Sequence, residues 1–191
     1  MLTLFPEEPI LPEGFSYYPD FLTEEEELLL IDAITTVELH TLIFQGFTAK
    51  RKVKSFGYDY NFDKRQISEG EAVPTSFSFL LQKVASHLQV PTDRLAEVLV
   101  TEYPVGSVIN WHRDAPPFDV IVGISLLSSC KFRFRPYNKL EREKGSILSL
   151  NVAPRSLYIL QGNARSDWEH SIAPVKELRY SITLRTLRNI N

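Results

Sequence analysis

Val98-Leu99-Val100-Thr101-Glu102-Tyr103, closed by Pro104 and Gly106, opens the half of the chain whose reading decides the fold. A β-branched apolar run that stops at a turn pair is the pattern of a short buried strand. The pattern then repeats. Val120 to Leu127 follows a Pro-rich loop, and Cys130 to Arg135 alternates apolar and basic side chains. Ser146 to Leu150, Ser156 to Leu160 and Arg179 to Leu187 complete the set. Short strands with regular turn signals predict an antiparallel sandwich or barrel. Towards the N-terminus, Phe77, Leu80, Leu81, Val84, Ala85 and Leu88 stand at helical spacing and predict a helix over 74–89. Residues 41–62 alternate apolar and polar runs around Gly46 and Gly57 and predict strands or a hairpin. Thr23-Glu24-Glu25-Glu26 predicts a helix start, with Thr23 as N-cap and Glu26 completing a capping box. Its expected apolar face is Leu28, Leu29, Ile31, Ala33 and Ile34, and Glu24–Glu27 complement the helix dipole. Residues 1–20, with four prolines, read as an extended arm on the core. The expected fold class is α+β, with N-terminal helices packed on a jelly-roll-like core, as one domain over 1–191.

Composition narrows the function classes. The chain has 191 residues, 43% of them hydrophobic and 24% charged, which is ordinary globular composition and excludes wholesale disorder, collagen and a disulfide scaffold. A chain of this length buries a core without a structural metal, so a metal site in it would serve chemistry. The net charge of −3 predicts no global attraction to polyanions and leaves only local patches for that task. A single cysteine, Cys130, excludes an internal disulfide and a cysteine-based zinc site, and it reads as a small core residue. No apolar run is long enough to span a membrane, and MLTLFPEEPI lacks the regions of a secretory signal. The expected location is cytoplasmic, and no obligate protein partner is inferred.

The chemistry starts at Asn110-Trp111-His112-Arg113-Asp114. Residues two apart on an extended strand face the same side, so His112 and Asp114 aim an imidazole and a carboxylate at one point. Alone this is an ordinary surface pair. His170, in Asp167-Trp168-Glu169-His170-Ser171, adds a second imidazole near the end of the strand system. Two histidines and one carboxylate leave half an octahedron open, the arrangement of non-haem Fe(II) oxygenases. The third element is Arg179-Tyr180-Ser181-Ile182-Thr183-Leu184-Arg185, whose parity puts Arg179, Ser181, Thr183 and Arg185 on one face. Either these arginines are exposed on an edge strand, or they turn inward and need an anion. A dicarboxylate co-substrate would meet that need through paired N–H donors. Trp111 and Trp168 flank the ligands, either packing the pocket or stacking on substrate. His40 and His87 lie in or beside helices without a partner pattern.

Taken together, these segments resemble the AlkB family of Fe(II)- and 2-oxoglutarate-dependent dioxygenases. The matching pieces are Tyr103-Pro104-x-Gly106 leading into His112-x-Asp114, then Pro154-Arg155-Ser156-Leu157, then Gly162-x-Ala164-Arg165 followed by Trp168-x-His170, and finally Arg179 through Arg185. The resemblance covers about 95–187. Ser55-Phe56-Gly57-Tyr58-Asp59-Tyr60 and the Pro-Arg-Ser-Leu segment are similar to the branch containing the dioxygenase domain of a tRNA wobble-uridine hydroxylase. The resemblance implies a double-stranded β-helix over 95–187. It implies that His112, Asp114 and His170 hold Fe(II) and that Arg179 binds the distal carboxylate of 2-oxoglutarate. Tyr103 and Ser181 would add hydrogen bonds, Arg185 would lie near the chelating carboxylate, and Thr101 stands where the family often has asparagine. It implies consumption of O2 and 2-oxoglutarate, release of succinate and CO2, and hydroxylation of a C–H bond. On a base nitrogen, the hydroxylated product collapses to aldehyde and free base.

The implied substrate is a nucleic-acid base, in DNA alkylation repair or RNA base modification. Residues 41–65 would form a lid, with Lys50, Arg51, Lys52, Lys54, Lys64 and Arg65 around Phe56, Tyr58, Tyr60 and Phe62. Basic residues interleaved with aromatics suit a phosphate backbone and a stacked base. The other reading is a hairpin with aromatics packed inward and lysines solvated. Arg165 matches a family arginine near the substrate, and Arg113 should point away from iron. The family's archetypal repair enzyme carries an acidic residue two positions after the metal aspartate; here Pro116 stands there, before Pro117. That shifts the expectation from a cationic methylated base towards another lesion, such as an etheno adduct, or an RNA base. A protein or small-molecule hydroxylase with the same iron site, and a catalytically silent binding module, are the competing readings.

Overall fold

Thr23 starts the first helix as its hydroxyl allows. In the computed structural model, which describes residues 11–44, 47–61, 66–143 and 145–188, the Glu26 N–H donates to Thr23 Oγ1 at 3.2 Å. The Thr23 N–H donates back to the Glu26 carboxylate at 2.9 Å, completing the capping box. The helix, α1 (Glu24–Thr35), buries Glu27, Leu30, Ala33 and Ile34. Leu28 and Leu29, expected on the apolar face, are 62% and 59% exposed. A stripe of period 3.6 through positions 27, 30 and 34 leaves them on the far side. Glu27 is buried because its carboxylate accepts from the Leu127 N–H at 2.8 Å and meets Arg155 at 3.4 Å.

The remaining elements in chain order are β1 (Phe15–Tyr18), β2 (His40–Phe44), β3 (Phe47–Asn61), β4 (Gln66–Glu69), α2 (Ser78–Leu88), β5 (Leu95–Tyr103), β6 (Ile109–His112) and β7 (Phe118–Leu126). Then come β8 (Cys130–Pro136), β9 (Leu148–Val152), β10 (Leu157–Leu160), α3 (Gly162–Ser166), β11 (Trp168–Ile172) and β12 (Arg179–Leu187). They form a large sheet in the order β1-β10-β7-β12-β5-β3-β2, with β4 on β3, and a small sheet in the order β6-β11-β8-β9. From β5 onwards the chain crosses between the two sheets, which is the expected jelly roll. The expected arm contributes β1, paired with β10; residues 1–10 lie outside the described residues. No described helix is long and apolar enough to cross a membrane.

Strand alternation separates two interiors. One face of the large sheet presents Val98, Val100, Ile182 and Leu184 to Leu30, Ile34, Leu80 and Val84 of the helices. The other face, with Tyr103, Phe118, Ile121 and Tyr158, looks across to Phe132, Phe134 and Ile172 of the small sheet. By the period of two, Glu97 and Thr101 share the Tyr103 side of β5, inside the barrel. Cys130 is buried there. His40 begins β2, and His87 on α2 meets Tyr18 and Phe21 edge-on.

Gly57 corrects the lid reading. It has φ +77, and there β3 changes partner: Lys52–Gly57 pair with β5, and Tyr58–Asn61 pair with β4. The break in alternation means that Phe56 does not share a face with Tyr58 and Tyr60. Phe56 is 4% exposed and packs in the helix-side core near Phe77. Gly46, Phe62, Lys64 and Arg65 lie outside the described residues. A Cβ on Gly57 would sit 2.3 Å from the Ala96 carbonyl oxygen. Gly57→Ala is therefore expected to cost about 1–3 kcal/mol, read as a lower urea midpoint; an unchanged midpoint would refute this account of the pivot.

Candidate metal centre

Two strands of the small sheet bring the histidines together. His112, at the end of β6, stands directly opposite His170 of β11 in the pairing register, with ring centroids 4.3 Å apart. His112 Nδ1 lies 2.8 Å from the Asn110 carbonyl oxygen. With Nδ1–H donating, Nε2 keeps its lone pair for a ligand. Phe132 stacks on the His170 ring at 5.4 Å and 10°. Asp114 follows in the loop after β6, its Oδ2 3.4 Å from His170 Nε2. One ligand atom from each of His112, Asp114 and His170 lies within 4.8 Å of the others.

Electrostatics prepare the three groups for a cation. Burial alone would raise the Asp114 pKa. The Arg185 guanidinium overrides that, helped by His170 and His112, and holds the carboxyl well below the usual range. Arg185 donates from Nε and Nη2 to Asp114 Oδ1 at 3.1 and 2.8 Å. Its Nη1 donates to Glu97 Oε2 at 2.5 Å, and Ser55 donates to Glu97 Oε1 at 2.9 Å. Glu97 and Arg185 are cross-strand partners on β5 and β12. One Asp114 oxygen is thus locked, while Oδ2 is buried and has no hydrogen-bond partner among the described residues. Burial, reinforced by His112, pushes His170 down to about 3, which keeps the imidazole neutral and able to ligate.

A second site lies beside the first. Arg179 is fully buried. Its Nε donates to Ser125 Oγ at 3.1 Å, its guanidinium lies 4.8 Å over the Tyr103 ring, and Nη1 and Nη2 have no partner among the described residues. Tyr103 Oη is 3.3 Å from Ser181 Oγ. The register sets Thr101, Ser181 and Ser125 in a row across β5, β12 and β7, with Tyr103 opposite Arg179 one step along. A buried cation with two unused N–H edges is costly by itself and fits a carboxylate, which takes both edges at once. The Tyr158 ring lies across Gly123, whose Cβ would fall 2.0 Å from it. Burial pushes the Tyr158 hydroxyl above the ordinary phenol range.

The expected residues divide. His112, Asp114 and His170 converge, and Thr101, Tyr103, Arg179 and Ser181 line the neighbouring recess. Arg185 is taken up by Asp114 and Glu97 rather than left open for an anion. Arg165 is 7% exposed: its buried Nε has no partner among the described residues, while its Nη2 donates to the Ala115 and Phe118 carbonyls at 2.7 and 3.2 Å. It thereby braces the turn that follows Asp114. Phe56 is core. Tyr58 donates to Glu69 at 2.9 Å, and Tyr60 packs partly against the inter-sheet core. Lys52 is paired with Glu102 and Lys54 with Glu71, so these lid cations are not free. Trp111 turns away from the metal centre, towards Arg133 and Arg135.

Glu97, Ser125 and Tyr158 were missed, and Arg51 was expected only as one of the lid cations. Parity carried the signal for Glu97, an acid two steps from Thr101 on an otherwise apolar strand. Arg51 precedes Val53, which is opposite Thr101. Its Nη1 donates to the Val108 carbonyl at 3.4 Å; burial lowers its pKa, against the opposing pull of Tyr103 beside it.

The two imidazoles, the free carboxylate oxygen and the open Arg179 edges fit Fe(II) and a dicarboxylate. A pH prediction follows. Folded His170 titrates at about 3, against 6.5 ordinarily. The unfolded chain therefore binds more protons between those values, and metal-free protein loses stability as pH falls through that window. His170→Gln should flatten this loss in urea midpoints measured across the window; an unchanged pH slope would contradict it.

Comparison with known proteins agrees. The family model of the 2OG-Fe(II) oxygenase superfamily matches residues 14–186. The Arabidopsis thaliana "Alkylated DNA repair protein ALKBH8 homolog" is 28% identical over 209 residues, covering 92% of this chain and 59% of that protein. The mouse "tRNA (carboxymethyluridine(34)-5-O)-methyltransferase ALKBH8" is 25% identical over 175 residues, covering 87% of this chain and 25% of that protein. The chain thus spans well under two thirds of these relatives. Among solved structures, OsALKBH1 superposes with a TM-score of 0.71 at 13% identity, covering 92% of this chain and 98% of that one. A Pseudomonas putida prolyl-4-hydroxylase superposes at 0.62 with 16% identity, covering 92% and 93%. These two show the shared fold. With a match over nearly its whole length and AlkB-type relatives, the chain belongs to the 2OG-Fe(II) oxygenase superfamily as an AlkB-like dioxygenase.

Proposed function

We propose that this dioxygenase hydroxylates or removes an alkyl group on a nucleic-acid base, with His112, Asp114 and His170 as Fe(II) ligands and Arg179 as the anchor of 2-oxoglutarate. The observation that carries the site assignment is the pairing of a two-histidine, one-carboxylate cluster with a buried arginine whose two terminal nitrogens lack partners. When bound, Fe(II) with 2-oxoglutarate and O2 supplies the oxidising power for a C–H bond and converts 2-oxoglutarate to succinate and CO2. The chain's own residues do the rest. Arg179 and Tyr103, with Thr101, Ser125 and Ser181 around them, fix the distal carboxylate. Arg185 keeps Asp114 ionised and oriented. Phe132, Tyr158 and Ile172 keep the interior dry.

The nucleic-acid substrate is supported by the ALKBH8 relatives, whose names record an alkylated-DNA repair protein and a tRNA methyltransferase. It is also supported by Arg51, an arginine beside Tyr103 with a single long carbonyl contact. Tyr58 and Tyr60 remain the aromatic contacts of the proposed lid. Pro116 at the position of the archetypal acid favours an etheno adduct or an RNA base over a cationic methylated base.

The test is succinate formation with Fe(II), 2-oxoglutarate, ascorbate and O2, with methylated and etheno-modified oligonucleotides and modified tRNA as substrates. Stimulation by one nucleic acid that vanishes in His112→Ala is expected. Succinate without stimulation by any of them would overturn the substrate assignment and favour a protein or small-molecule substrate. No succinate despite bound Fe(II) and 2-oxoglutarate would favour a binding module. Arg179→Gln removes a charge-assisted pair worth about 1.5–3 kcal/mol. Calorimetric affinity for 2-oxoglutarate should therefore fall about 10- to 100-fold, and unchanged affinity would dismiss Arg179 as the anchor.

A further inference from the structure

The outward face of the small sheet is basic, although the chain as a whole carries a net charge of −3. On β8, Cys130, Phe132, Phe134 and Pro136 are buried, while Lys131, Arg133 and Arg135 alternate with them on the outer side. Trp111, one residue before His112, turns to the same side. The guanidiniums of Arg133 and Arg135 lie 5.0 and 4.6 Å from its ring centroid. Arg113, one residue after His112, stacks 3.5 Å from the Tyr137 centroid and donates to the Ser166 carbonyl at 2.7 Å. Arg142 joins from the loop after β8, donating to the Pro136 and Tyr137 carbonyls.

Among the described residues, the carboxylate paired with this set is Glu169, shared by Arg135 at 2.6 Å and Arg142 at 2.9 Å. Arg133 donates instead to the neutral Ser171 hydroxyl at 3.0 Å. The face therefore keeps an excess of positive charge. Its guanidiniums are also held before any ligand arrives, over aromatic rings or tied by hydrogen bonds. A pre-held fork loses less freedom when it takes up a phosphate oxygen pair. Trp111 and Arg113 flank His112 in sequence, so the basic face begins where the metal centre ends.

We propose that this outer face, centred on Lys131, Arg133 and Trp111, docks the sugar-phosphate backbone of the nucleic acid whose base is presented to the iron. The inference rests on the proposed nucleic-acid substrate. Phosphate is favoured over a base as the contact because fixed, forked donors on a flat sheet match a repeating anion and read no base edge. Charge complementarity commits the face to nucleic acid; an acidic protein is the competing occupant in the test.

The experiment measures binding of a labelled single-stranded oligonucleotide to the full chain over a range of salt concentrations. Lys131→Gln/Arg133→Gln leaves the Glu169 ion pairs in place. It should weaken binding about tenfold and lower the slope of log K against log salt by about 0.7 per lost contact. The charge-keeping variant Lys131→Arg, which leaves the Arg133 fork in place, should bind like the parent, and both variants should keep the parental melting temperature. Parental binding with no change of affinity or slope in the Gln pair would overturn this inference and leave the proposed function standing. Equal weakening in the charge-keeping variant Lys131→Arg would also overturn it, because charge would not be the cause. Capture of an acidic peptide in place of the oligonucleotide would overturn it in favour of a protein partner. Failure of the parent to bind or be stimulated by any nucleic acid would overturn both readings.

Discussion

Arg185 is the interaction on which the site depends. It lies, with 14% of its side chain exposed, between two carboxylates, Glu97 on the neighbouring strand and Asp114 in the loop after β6. A largely buried cation of this kind holds only if both acids stay ionised and in place. It holds Asp114 Oδ1 with two N–H groups, so Oδ2 is the oxygen left to face His170. It also ties the centre to β3, because Ser55 donates to the same Glu97. Gly57, two residues further on, is where β3 leaves the large sheet for the hairpin. The metal centre and the root of the proposed lid are thus joined through one ion network.

The rest of the fold supplies two walls for that network. α1 and α2 cover one face of the large sheet, which frees the opposite face to carry polar residues inward. The small sheet closes over that face with Phe132, Phe134 and Ile172 and brings the two histidines into register. Arg165 braces the turn after Asp114 from α3. Each ligand is therefore placed by a different device: a strand end, a braced turn and a paired strand.

Much of this was legible in the sequence because it follows from a period of two. The strands of the β-rich half and the shared face of Arg179, Ser181 and Arg185 come from alternation. Alternation leaves open which way that face turns, and Asp114 meets His112 from the loop after β6 rather than from the strand. The meeting of His170 with His112 required the resemblance, since the 57 intervening positions carry no local signal. What alternation could not show was where it breaks. Gly57 resets the face of β3, so Phe56 went to the core while Tyr58 did not. Arg165 and Arg185 were legible as arginines near the site, but their partners, backbone carbonyls in one case and Glu97 in the other, depend on three-dimensional closure. The exposure of Leu28 and Leu29 shows the same limit, because three consecutive leucines fit more than one helical face.

The central claim is that one barrel interior holds Fe(II) and 2-oxoglutarate side by side. The most direct measurement is the anaerobic visible spectrum of the Fe(II)-loaded protein during titration with 2-oxoglutarate. The account predicts a charge-transfer band that grows to saturation at one equivalent, because the 2-oxoglutarate chelates the metal held by His112, Asp114 and His170. Fe(II) and 2-oxoglutarate that both bind without producing the band would place them at separate sites and contradict the account.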